Sequence, residues 1–142
     1  KYGTVSMVGV VTGTIAGLAS ITPASGFVGP VAALFIGSVA GILCQEAVTF
    51  IRNKVKIDDT LDVFAVHGVG GIFGSLMIAA LGAGSWVAQL GSLAIVGVFT
   101  SVMTVILIVV VRAITPLRVD LETETNGLDL EVHGERAYDW TS

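Results

Sequence analysis

From Tyr2 to Gln45, and again from Val63 to Val111, the chain carries no Asp, Glu, Lys or Arg. A helix needs about 20 apolar residues to cross a hydrocarbon core, so each run is long enough for more than one crossing. Only 13% of the 142 residues are charged, against roughly 25% in soluble domains, and the charges fall between the apolar runs or after them. The hydrophobicity recurs along the chain instead of sitting at one end, which excludes a cleaved signal peptide as its source. Cys44 is alone, so no intrachain disulfide forms, and burial of a small thiol accounts for it. A start at Lys1 without an initiator Met fits a fragment or a processed chain.

Glycine, proline and charge divide the sequence into four spanning helices, over about residues 4–21, 30–51, 61–81 and 87–114. The first stops at Thr22-Pro23-Ala24-Ser25-Gly26, since proline disfavours helix at the residue before it and glycine tolerates a left-handed cap. Pro30 suits the first turn of the second helix. Trp86 fits an interfacial anchor ahead of the fourth, which ends before Pro116. Basic residues follow the second helix (Arg52, Lys54, Lys56) and flank the end of the fourth (Arg112, Arg118). With four antiparallel crossings these ends and Lys1 share one side, which the positive-inside rule makes cytoplasmic. The expected organisation is an all-α polytopic transmembrane bundle over residues 1–116 and a cytosolic acidic tail over 117–142.

Small residues mark where helices meet. Gly9, Gly13 and Gly17 form two overlapping GxxxG units, and Gly37/Gly41 and Gly70/Gly74 form two more. Such spacing clears a helix face for a second backbone. The run Val105-Ile-Leu-Ile-Val-Val-Val111 is bulky instead, which suits lipid or a subunit seam.

His67 is the only ionisable side chain between Val63 and Val111. An ionisable group in a bilayer is expensive and reads as a functional site with a partner. In a regular helix Asp62 and His67 point roughly 140° apart and do not pair. Val63 and His67, at i and i+4, share a face that Gly71 and Gly74 continue. His67 also lies about 9 Å of helical rise inside Leu61. No other crossing offers a His, Asp, Lys or Arg at matching depth, and Glu46 sits near the cytoplasmic end of the second helix. The partner of His67 is therefore expected outside this chain. Asp58, Asp59 and Asp62 precede the third helix, where carboxylates cap free amides and suit the positive end of the helix dipole. Asp59 and Asp62 are accordingly read as structural.

The run Asp62-x-Phe64-x-x-His67-Gly68-x-Gly70-Gly71-x-x-Gly74 resembles the signature of the penultimate transmembrane helix in the Amt/Mep/Rh family of ammonium transporters. Two further stretches agree in order: Ala16-Gly17-Leu-Ala-Ser-Ile21-Thr22-Pro23-Ala24-x-Gly26, and Gly127-Leu-Asp129-x-x-x-His133-Gly134-Glu135-x-Ala137-Tyr138. The resemblance implies that the chain corresponds to the last four of eleven helices plus the cytosolic tail, in a homotrimer of the cell membrane. It implies that His67 is the second of a pore histidine pair and that Val63 lines the pore one turn toward the cytosol. Gly68, Gly70, Gly71 and Gly74 become packing residues. Gly127, Asp129, His133, Gly134, Glu135 and Tyr138 become a regulatory tail, which in relatives meets PII signalling proteins.

The implied activity is recruitment of ammonium, its deprotonation, passage of ammonia past neutral imidazoles, and reprotonation in the cytosol. An ammonium sensor signalling through a partner and an Rh-like gas channel are the alternatives. The tail is too short for a fused kinase or cyclase domain, and its acidic Gly-Leu-Asp stretch favours the Amt branch. An enzyme is not expected: there is no Ser/His/Asp set, metal-ligand spacing or phosphate loop, and Gly68-x-Gly70-Gly71 has no dinucleotide-binding context. No cofactor, metal or nucleic-acid partner is assigned.

Overall fold

A computed structural model describes residues 6–135. The chain divides into two compact units, Lys1–Gly97 and Val98–Ser142, and every regular element among the described residues is helical.

In the first unit, α1 spans Met7–Ile21, with Ser6 accepting from the Gly9 amide at its start. Pro23 then tightens the chain into a single 3-10 turn over Thr22–Ala24. Gly26, at φ 85°, turns the chain away, a conformation that glycine adopts without steric cost. Helix α2 spans Pro30–Phe50 and winds on as a π-helical turn over Ile51–Val55. A second π-helical turn, Phe64–Val69, runs directly into α3, Gly70–Ala80. Helix α4 follows at Trp86–Ile114.

The core of this unit is built on spacings of four. Helix α2 buries Ile36, Ala40, Cys44 and Val48, a stripe that lies on one helix face. Ala16 and Ser20 of α1 are buried, and so are Val66, Gly70, Gly74 and Ile78 along the third segment. Ala16 packs with Cys44 and Val66, Ala24 with Ile36 and Ile78, and Ala65 with Val48 and Ile51. These pairings set α2 antiparallel to both α1 and α3. Small side chains let the backbones close in. A Cβ on Gly17 would sit 3.8 Å from Gly37 Cα, and one on Gly74 would collide with the Ser20 carbonyl oxygen.

Among the described residues, three helices are long and apolar enough to cross a membrane: Met7–Ala24, Pro30–Val55 and Trp86–Ile114. The segment Phe64–Ala80 is apolar but shorter. It is shorter than the expected 61–81 because Asp62 takes a left-handed φ of 54° and delays the helix to Phe64. The described residues are thus all-helical in their regular structure, with the character of a multi-spanning membrane protein.

The second unit contains the rest of α4 and two short helices, α5 (Leu121–Asn126) and α6 (Leu128–Glu131). Asp120 caps α5 by accepting from the Thr123 amide and hydroxyl at 2.9 and 3.0 Å. Those bonds, the amide first, hold its carboxyl below the usual aspartate range. Arg118 grips Glu124, with Nε 2.8 Å from Oε2, and lowers that carboxyl likewise.

Candidate functional site

The segment bearing His67 is fixed at its start by carboxylates. Asp59 accepts from the Val63 and Phe64 amides at 2.9 and 2.8 Å, which satisfies two of the donors that every helix start leaves open. Asp62 lies in the left-handed region, which aspartate tolerates better than most residues. Its carbonyl accepts from the Val66 amide at 2.9 Å, while its carboxylate bonds Arg52 through both oxygens, at 2.8 and 2.7 Å. Asp62 therefore ties two segments together and leaves the capping to Asp59. Arg52 is one of the basic residues after the second helix, and its contact with Asp62 is what sequence reasoning missed. No local spacing rule pairs positions ten apart across a loop.

Ala65 and Val66 turn inward and are nearly fully buried, whereas Val63, Phe64 and His67 are exposed in this chain. The thiol of Cys44 reaches the Val66 carbonyl, 3.9 Å away. The imidazole thus has a firm back, made by α1 and α2, and an uncovered front. Phe64 lies over Gly68, where a Cβ would come within 3.1 Å of its ring. Gly70 faces Ser20 Oγ and Cys44 Sγ, at 2.7 and 3.3 Å from a Cβ placed there, and Gly71 faces open space. Gly74 lies on the buried side with Gly70 and does not continue the His67 face as a uniform 100° step would place it. The π turn over Phe64–Val69 accounts for the offset, because its i to i+5 bonding changes the angle between successive side chains.

An open groove of about 660 Å³ runs between α1 and α2, lined by Gly13, Gly17, Ala33 and Gly37 among others, and it does not include His67. Among the described residues no group of three or more His, Cys, Asp or Glu side chains is placed to hold a metal ion.

In the tail, Gly127 at φ 98° joins α5 to α6 and Gly134 at φ 64° ends the turn after α6. The Glu135 amide donates to the Asp129 carbonyl at 2.9 Å, so Asp129, Gly134 and Glu135 belong to one local turn, while His133 is exposed. Tyr138 lies outside the described residues.

The model of the Ammonium Transporter Family matches residues 1–138. The chain belongs to that family. It is 44% identical over 144 residues to the ammonium transporter Amt1 of Archaeoglobus fulgidus, covering 92% of this chain and 37% of the relative. To an ammonium transporter of Bacillus subtilis it is 38% identical over 150 residues, covering 94% of this chain and 37% of the relative. To a putative ammonium transporter of Methanothermobacter thermautotrophicus it is 39% identical over 155 residues, covering 97% and 38%. The chain therefore spans a little over a third of the length of these Ammonium Transporter Family members. No solved structure gives a significant match.

Proposed function

We propose that the full-length protein moves ammonium nitrogen across a cell membrane by releasing a proton, passing ammonia beside His67, and reprotonating it in the cytosol. The observation that carries this reading is the placement of His67. It is the one ionisable group of a long apolar run, exposed beside Val63 while Ala65 and Val66 are locked behind it. Family membership supports the substrate.

The physical requirement is severe. Stripping water from a cation costs many kcal/mol unless ligands replace the shell. Ammonia avoids that cost, and neutral imidazoles offer a donor or an acceptor along an otherwise apolar path. Potassium has no proton to leave behind, so it stalls. In this reading a second histidine, and the helices covering the His67 front, come from parts of the protein outside this chain. The four segments are then the last of eleven helices, assembled as a homotrimer with the tail in the cytosol.

Replacing His67 with Ala in the full-length protein is expected to change ammonium conduction or its discrimination against potassium by about tenfold or more, as loss of a positioned polar group does. Labelled methylammonium uptake and ammonium-driven current in vesicles measure both; unchanged values would falsify the role of His67. The acidic tail is read as the docking segment for a PII-type protein. Removing the residues after Pro116 should abolish block by such a protein while pores still assemble.

A further inference from the structure

We infer that the Arg52–Asp62 ion pair is a positioning device for His67, holding the π-helical winding that sets where the imidazole faces. The inference rests on the transport reading above.

The pair is a fork on a fork: Nε meets Oδ1 at 2.8 Å and Nη2 meets Oδ2 at 2.7 Å. Two parallel charge-assisted bonds fix orientation as well as distance. The Asp62 side chain is 14% exposed and that of Arg52 53%, so the carboxylate is well withdrawn from solvent and the guanidinium lies across its mouth. Neither carboxylate oxygen caps the following helix, because Asp59 already supplies the Val63 and Phe64 amides.

The location gives the pair its meaning. Arg52 lies inside the π turn that ends the second helix, and Asp62 stands two residues ahead of the π turn that carries His67. Both turns depart from the regular α-helix, and the chain between them contains two left-handed residues, Lys56 at φ 57° and Asp62 at φ 54°. π turns are rare and recur at functional sites. Left-handed backbone costs energy at any residue but glycine and persists where surrounding contacts impose it. The ion pair spans this irregular stretch and ties its two ends together. If the second π turn relaxed to α-helix, a slip of one residue would turn Val63 and His67 by about 100° relative to Gly70–Ala80. The Gly70 and Gly74 contacts with α1 would survive, and the imidazole would face elsewhere. The pair thus acts on aim, separately from the packing of α3.

The test uses the full-length protein in proteoliposomes and four variants: Asp62→Asn, Arg52→Gln, their double variant, and Arg52→Lys. Asparagine keeps the size and left-handed tolerance of aspartate while removing the charge. Ammonium and potassium fluxes are measured per folded trimer-sized particle, and amide hydrogen exchange is followed over residues 63–69. The expected result for each single charge-removing variant is a fall of about tenfold in the ammonium-to-potassium flux ratio, the scale on which misplacement of a working group is felt. The double variant should be no worse than the worse single one, Arg52→Lys should recover part of the ratio, and exchange should quicken over 63–69. A purely structural loss would lower both fluxes together and leave their ratio unchanged, which overturns the inference, whatever the exchange does. Unchanged exchange and additive losses in the double variant overturn it too. A wild-type protein without ammonium flux sinks the transport reading instead, and the clamp is then judged on exchange alone, with unchanged protection in Asp62→Asn rejecting it.

Discussion

The segment Phe64–Ala80 and helix α4 are both apolar helices, yet they are built in opposite ways. The first is short, opens with a π turn, and buries Gly70, Gly74, Ile78 and Ala79 against its neighbours. Helix α4 is one unbroken α-helix of 29 residues with no buried residue among those described. Its bulky side chains, Val105 to Val111, are all exposed in this chain. Small residues and irregular winding gather where backbones close in on one another. Branched bulk lies along the helix that this chain leaves uncovered.

The sharpest way to break this contrast is one substitution made in both places. Gly74→Ala drives a methyl group into the Ser20 carbonyl, and overpacking against backbone is expected to cost about 3 kcal/mol or more, seen as a large drop in thermal midpoint of the detergent-solubilised protein. Asp59→Ala strips both amide caps from the His67 segment and should cost about 1–2 kcal/mol, with faster hydrogen exchange at Val63 and Phe64. Gly91→Ala in α4 meets nothing within 4 Å and should gain about 0.5–1 kcal/mol, the ordinary benefit of alanine in a helix interior. A loss at Gly91 as large as that at Gly74 would erase the distinction between the two regions.

The smallest effect belongs to the tail. Asp120 and Glu124 both have lowered pKa values, through the Thr123 amide and the Arg118 guanidinium respectively. The order they lend is fully present above the ordinary carboxylate values of about 3.9 and 4.3, and is lost as pH falls through the lowered ones. The Thr123 amide resonance should therefore hold its position down to about pH 5 and shift below about pH 4. Asp120→Asn removes the titrating carboxyl and should abolish that transition, and the spanning helices should show no matching change.

Much of the coarse picture is legible in the residues alone. Charge-free runs demand apolar helices in number, and Pro23, Gly26 and Pro30 punctuate them. The candidate site rests on one imidazole that stands out against so apolar a background. Its geometry is less legible. A segment rich in valine and glycine carries too little hydrophobic contrast to separate a π turn from an α turn, so a uniform step places Gly74 on the wrong side. The Arg52–Asp62 contact depends on how the chain closes between two helices, which no periodicity encodes. Of the GxxxG residues, Gly17, Gly37, Gly70 and Gly74 make close approaches, whereas Gly13 and Gly41 meet nothing within 4 Å; spacing alone does not tell them apart.

The two-sided setting of His67 divides labour between stretches of polypeptide. The tilt of the ring is governed here, by Ala65, Val66 and what they lean on. Its other face stays uncovered in this chain. Changes at Ala65 or Val66 therefore re-aim the imidazole, whereas changes on its uncovered side leave its mount untouched.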